Sequence, residues 1–277
     1  MPGLPRHYAS ARTSLADELR AAQQDVVDSF RLTRLWFALG LNDIASRYRG
    51  SVLGPFWITI TTIVFVAGIG LVYARLMHVS LEQYLPWLAT GAVIWGFINQ
   101  SIQESADAFI AASAVLRQTA IPLPVFIWRV IWRNLLTLAH QTPVLLGVAV
   151  IFHYLTKINV PMALVGLVLV TVNISWISFC ASIACARFRD VQQILASVLQ
   201  MVFFITPVLW IPSGSRGVTL LNTLNPIAHM LNVIRNPLMG LPTNWLSLKV
   251  LTLIAVIGWG FSFLLFAASR RRIVHYV

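Results

Sequence analysis

The sequence predicts an all-α polytopic membrane protein with six transmembrane helices, an N-terminal amphipathic interface helix and re-entrant outer helices between spans five and six. Three observations predict this. Of 277 residues, 58% are hydrophobic and only 10% charged, with mean hydropathy +0.77, whereas soluble domains carry about 25% charged residues. Apolar runs recur six times at lengths that cross a hydrocarbon core, which takes about 20 helical residues. The basic residues gather at alternate ends of those runs, as membrane topology requires.

The elements follow in order. Residues 14–39 read as one amphipathic helix. Ser14 and Asp17 have capping-box spacing. Leu15, Leu19, Ala22, Val26, Phe30 and Phe37 recur every three or four residues. The helix lies on the membrane surface or packs on a partner as a soluble helix, and Trp36 and Phe37 beside Arg31 and Arg34 favour the membrane surface. Apolar spans then run over about 52–76, 85–112, 125–154, 160–186, 191–211 and 245–268. Between the last two, residues 212–243 hold Pro212, Pro226, Pro237 and Pro242 while Ile227, Met230, Leu231, Ile234 and Leu238 keep helical spacing. That stretch is too apolar for a loop and too polar to cross lipid alone. It predicts short helices dipping into the outer leaflet, shielded by protein or a watery cavity.

With the N-terminus inside, fifteen of the 20 Lys and Arg residues fall on inner segments or at the inner start of span three. Arg270, Arg271 and Arg272 then return the C-terminus to the cytoplasm. The division is 1–50 as a cytoplasmic region carrying the interface helix, 51–270 as the transmembrane domain and 271–277 as a cytoplasmic tail.

Several function classes drop out. The net charge of +11 sits at span ends, so it reads as topology and not as a nucleic-acid surface. Cys180 and Cys185 lie five apart on one helical span and point in different directions, so a disulfide between them is not expected. The opening fifty residues carry no apolar run near the start, so the first span itself directs insertion. No G-x-x-x-x-G-K-[ST] phosphate loop occurs, so any ATPase is another chain. The six histidines are scattered, and no catalytic or metal constellation is expected.

Candidate chemistry is sparse. Glu104 and Asp107, with Asn99, Gln100 and Gln103, form a polar stripe on span two. A carboxylate within the bilayer faces a cavity or a partner, so the stripe is a path wall or a pairing site for Arg47 or Arg49, unless this helix end already meets cytoplasmic water. Trp87, Trp210, Trp245 and Trp36 fit aromatic belts. Tyr73, Trp95, Phe97 and Trp176 lie deeper, where aromatic faces stack on sugar C–H faces or simply pack. The connection 113–124, stiffened by Pro122 and Pro124, is a rigid inner elbow.

Four motifs then carry a resemblance. Arg47-Tyr48-Arg49-Gly50-Ser51 through Gly54-Pro55-Phe56-Trp57 precedes span one. The elbow from Leu116 to Phe126 contains Pro122-Leu123-Pro124. Arg187-Phe188-Arg189-Asp190-Val191 joins spans four and five. Asn225-Pro226 is followed by Arg235. In this order they resemble ABC type-2 transporter permeases of the polysaccharide-export branch, which covers O-antigen, capsule and teichoic-acid exporters, over about residues 30–270. The resemblance implies a homodimer bound to two copies of a separate ATPase, with ATP and magnesium on that partner and no cofactor in this chain. It implies a lipid-linked glycan, with O-antigen the leading substrate, moved across the inner membrane. Arg47, Tyr48 and Arg49 would meet its diphosphate. Arg117, Gln118, Thr119, Pro122, Leu123 and Pro124 would couple to the ATPase. Tyr73, Trp95, Phe97, Asn99, Glu104, Trp176 and Phe203 are channel-lining candidates. Asn225, Pro226, His229 and Arg235 would form the outer gate. Alternatives are a capsule or teichoic-acid exporter, a drug or lipid exporter of the same class, a membrane enzyme on lipid-linked sugars and a secondary carrier.

Overall fold

A computed structural model describes residues 14–212 and 215–276. Residues 1–13 of the predicted N-terminal region, residues 213–214 of the outer segment and Val277 of the tail lie outside the described residues. The protein is all-helical among the described residues.

Residues 14–39, expected as one helix, form parts of two, α1 (Leu15–Arg31) and α2 (Thr33–Arg47). Ser14 and Asp17 close the expected capping box, with Asp17 N–H donating to Ser14 Oγ at 3.3 Å and Ser14 N–H to Asp17 Oδ2 at 3.2 Å. The break falls at Leu32. The Thr33 hydroxyl donates to the Phe30 carbonyl oxygen, a local bond that competes with the helix ladder. Helix α1 turns Leu19, Ala22 and Val26 onto α7 (Pro124–Ile151) and α12 (Trp245–Tyr276). Protein therefore covers Leu19, Ala22 and Val26, the middle of the apolar stripe, while Leu15 and Phe30 of the same stripe stay exposed. The chain leaves α2 through Gly50 and Gly54 at φ +82° and +55°, left-handed positions that glycine occupies without strain.

Four helices are long and apolar enough to cross a membrane: α3 (Phe56–Leu76), α7, α8 (Val160–Arg187) and α12 over Trp245–Ile273. Helix α4 (Leu81–Ala106) matches them in length but carries the polar stripe, and α9 (Asp190–Ile205) is shorter. Two short pieces, α5 (Ala108–Ala111) and α6 (Ser113–Gln118), build the elbow, and α10 (Arg216–Leu224) and α11 (Pro226–Leu238) build the segment before α12.

Helix α8 is the centre of the bundle, packed on α4, α11 and α12. Small residues permit these approaches, as expected where lipid offers no hydrophobic drive between helices. A side chain at Gly166 would overlap the Val233 backbone, and one at Gly258 would overlap the Trp176 ring. Two apolar clusters fill the space. The one beside the elbow gathers Phe109, Phe126, Phe179 and Phe266, and the one beside α11 gathers Ile98, Ile174, Leu231 and Leu251. Val64, Phe204 and Val256 are more than 60% exposed, which is the expected state of side chains whose solvent is hydrocarbon.

Candidate transport site

Three features lie in sequence along the bundle: an ionic mesh near the elbow, a polar groove at mid-bundle and a knitted outer segment.

The mesh begins at Asp43 on α2. Its carboxylate accepts from Arg129 Nε at 2.8 Å and Nη2 at 2.5 Å, and from Arg133 Nη1 at 2.9 Å. Burial alone would push this carboxyl up. The hydrogen bonds and charges of Arg129 and then Arg133 outweigh it and hold the pKa below the usual carboxylate value. Arg133 Nη2 continues to Glu104 at 2.8 Å, where Asn134 Nδ2 also donates at 2.9 Å and Arg47 Nη2 at 3.4 Å. Glu104 therefore faces arginines, its main partner being Arg133, which the sequence reading had not named. Asp107 accepts from Gln192 Nε2 at 2.6 Å. At the far end of the chain, Arg270 donates twice to Asp25 Oδ2, at 2.9 and 2.7 Å, tying α12 to α1.

Beyond the mesh, a groove of about 520 Å³ opens between α3, α4, α7 and α9. Its polar lining is Thr61, Thr62, Asn99, Gln103, Gln141 and Gln200, and its aromatic lining is Phe65, Trp95 and Phe203. Trp95 and Phe203 pack at a centroid distance of 5.5 Å. Of the channel-lining candidates, the structure brings Trp95, Asn99 and Phe203 together here. Phe97 instead faces a separate apolar pocket between α4, α7, α8 and α11. Tyr73 packs with Ala74, Tyr84 and Leu88, Trp176 packs against Gly258, and Glu104 belongs to the mesh. Sequence reasoning missed Thr61, Thr62, Gln141 and Gln200. The signal was present, since each is a neutral polar side chain inside an apolar run, but nothing in the run says which face meets a cavity.

The outer segment is held by specific bonds. Asn225 caps α11 through Oδ1, which accepts from the Ile227 and Ala228 N–H groups, and its Nδ2 donates to Thr206 Oγ1 at 2.8 Å. Pro226 follows as the first residue of α11, where its missing N–H is no loss. The His229 ring bonds Ser247 Oγ at 2.8 Å and the Thr223 carbonyl at 2.9 Å. Arg235 is fully buried. Its Nη1 donates to the Pro207 carbonyl at 2.8 Å, and its guanidinium sits 3.9 Å over the Trp87 ring. The four predicted gate residues thus lie on one short helix or its cap.

The elbow residues Arg117, Gln118 and Thr119 are exposed, whereas Leu123 and Pro124 are buried where they start α7 and Pro122 is half-buried beside them. Tyr48 and Arg49 form the turn after α2, with Arg49 exposed and Arg47 half-exposed at its end. No group of His, Cys, Asp and Glu able to hold a metal occurs among the described residues.

Residues 34–239 match the family described as ABC-2 type transporter. The chain is similar to two proteins of Klebsiella pneumoniae named O-antigen export system permease protein RfbA. One is 23% identical over 78% of this chain and 84% of that protein, the other 24% identical over 68% and 74%. A protein of the same name from Myxococcus xanthus is 26% identical, covering 74% of this chain and 80% of its own length.

Proposed function

The chain belongs to the ABC-2 type transporter family, and from that premise we propose that it is the membrane subunit of an ATP-driven exporter of a polysaccharide, O-antigen being the leading substrate. Such a subunit transports and is not itself an enzyme. The relatives named as O-antigen export permeases support the substrate class. The observation that carries the reading is the groove. Amides and hydroxyls aligned with aromatic faces in the middle of an apolar bundle are the chemistry of sugar recognition, and lipid alone gives no reason to keep them there.

In this reading six helices cross the inner membrane, namely α3, α4, α7, α8, α9 and α12, with both termini cytoplasmic. Helices α10 and α11 form the re-entrant outer gate that Asn225, Pro226, His229 and Arg235 hold together. Two copies face each other across α3 and α9, so that two grooves make one conduit. Two copies of a separate ATPase, carrying ATP and magnesium, dock on the elbow at Arg117 to Pro124. The lipid-linked glycan arrives at Arg47, Tyr48 and Arg49, where guanidinium groups suit a diphosphate. Closure of the ATPase pair moves the elbow and the polymer advances outward.

Ala196 on α9 lines the groove beside Gln200. Ala196→Trp fills it without touching the mesh or the elbow. Surface polymer should fall at least tenfold while the chain stays in the membrane and still copurifies with an ATPase. Unchanged surface polymer, or no ATPase in the purified complex, sinks the proposal.

A further inference from the structure

We infer that the groove selects an uncharged, hydroxyl-rich polymer, and that Gln141 is a specificity-determining residue within it. This rests on the conduit reading and names the chemistry that the conduit accepts.

The polar lining consists of neutral groups. Thr62 offers a hydroxyl, and Asn99, Gln103, Gln141 and Gln200 offer amides. Among the described residues none that lines the groove is charged. An amide presents two donors beside an acceptor with two lone pairs, a match for neighbouring sugar hydroxyls that both donate and accept. The wall is already partly organised for this. Gln103 Nε2 donates to Asn99 Oδ1 at 2.7 Å, and Gln141 Nε2 donates to Thr62 Oγ1 at 3.3 Å. Those bonds fix the two glutamines and use one donor of each, leaving their carbonyl oxygens for a ligand.

The charges of the adjoining mesh do not line the groove and are paired with one another, Arg47 reaching Glu104 at 3.4 Å while staying half-exposed. Glu104 follows Gln103 directly, yet Arg133 and Asn134 hold its carboxylate. Arg129 and Arg133 are in turn held by Asp43. A carboxylate or phosphate on a polymer repeat would lose water in this groove and meet no cation on its lining, which is strongly unfavourable. A hydroxyl exchanges water for an amide without that penalty. Neutral hydrogen bonds are also about half as strong as charge-assisted ones. A conduit must bind its cargo firmly enough to admit it and weakly enough to release it, so neutral walls suit a neutral chain in repeated steps. Trp95 adds stacking that any sugar ring satisfies and therefore does not discriminate.

Gln141 is the side chain that α7 contributes to the groove. It stands near the middle of a 28-residue helix, far from both aqueous ends. A charge placed there acts with little screening.

The test has two arms. The gene is deleted in the source cell, and the surface polymer that disappears is hydrolysed and its repeat unit analysed. A repeat of neutral sugars is expected. A repeat bearing a uronic acid or phosphate overturns the inference while leaving the conduit reading intact, and loss of no polymer at all removes both. In the second arm, Gln141→Lys and Gln141→Asn are expressed in the deletion strain, with surface polymer measured per unit of membrane-inserted protein. The lysine variant should fall at least tenfold and the asparagine variant stay within about threefold of wild type. Equal export by the two variants overturns the role given to Gln141.

Discussion

Gly91→Ala is a sharp probe of how the outer segment is anchored. A Cβ at this position would overlap the Arg235 guanidinium and lie 3.1 Å from the Val208 carbonyl oxygen. The guanidinium has nowhere easy to go, being fully buried between the Trp87 face and the Pro207 carbonyl. Displacing it forfeits a desolvated cation–π contact of about 2 kcal/mol and much of a charged hydrogen bond of about 1.5–3 kcal/mol. After partial relaxation the expected loss is about 3 kcal/mol, a fall of order 10 °C in the thermal midpoint. Arg235→Met removes the same contacts but also a buried charge that no carboxylate neutralises among the described residues, so its own effect should stay within about 1 kcal/mol. Methionine is unbranched and adaptable, so in that background Gly91→Ala should cost about 1 kcal/mol. Thermal unfolding of the four proteins in one detergent then gives a coupling near 2 kcal/mol. Additive effects would refute the claim that Gly91 exists to admit Arg235.

Asp43→Asn should loosen α2 by about 2 kcal/mol and change the acid limb of stability. Because the folded carboxyl titrates below its unfolded value near 3.9, its contribution is present above that pH and is lost as pH falls through the folded pKa. Unfolding curves from pH 6 to pH 3 should therefore steepen for wild type and flatten for the variant. Trp128→Ala removes a ring packed on Phe30, Phe179 and Trp259 whose Nε1 donates to Ser29 Oγ at 3.0 Å. It should cost about 3 kcal/mol and expose α1 to protease before the rest of the chain. Thr119→Cys and Gly217→Cys test the six-span arrangement. A membrane-impermeant thiol reagent applied outside should label the second and spare the first, and the reverse pattern would overturn the orientation.

Four of the six expected spans, α3, α7, α8 and α12, were legible because lipid demands long apolar runs, whereas the runs expected over 85–112 and 191–211 gave a more polar helix and a shorter one. The capping box at Ser14 was legible for the same reason of local chemistry. What escaped was contact over distance. Asp43, Arg129 and Arg133 are unremarkable in the sequence, 86 and 90 residues apart, yet they make three of the ionic contacts that build the mesh. The break at Leu32 has no Gly or Pro to announce it, and the bond from the Thr33 hydroxyl to the Phe30 carbonyl beside it shows only in the structure. The groove was half read: Trp95, Asn99 and Phe203 stood out as aromatic or polar in apolar helices, while Thr62 and Gln141 became lining only through the way α3 meets α7.

Helix α7 gives these parts a common axis. Its first residues leave the elbow at Leu123 and Pro124, and Arg129, Arg133, Thr137 and Gln141 then follow at intervals of four, close to one face. From Arg129 to Gln141 is about 18 Å of helix. Two residues further on, Pro143 removes an N–H from the ladder and weakens the rod. A displacement applied at the elbow would thus travel along a stiff lever braced by the arginines and end beside a natural hinge at the groove wall. If force enters at the elbow, the helix that fixes the ionic mesh would by the same construction serve as its pushrod, with the glutamine at the working end.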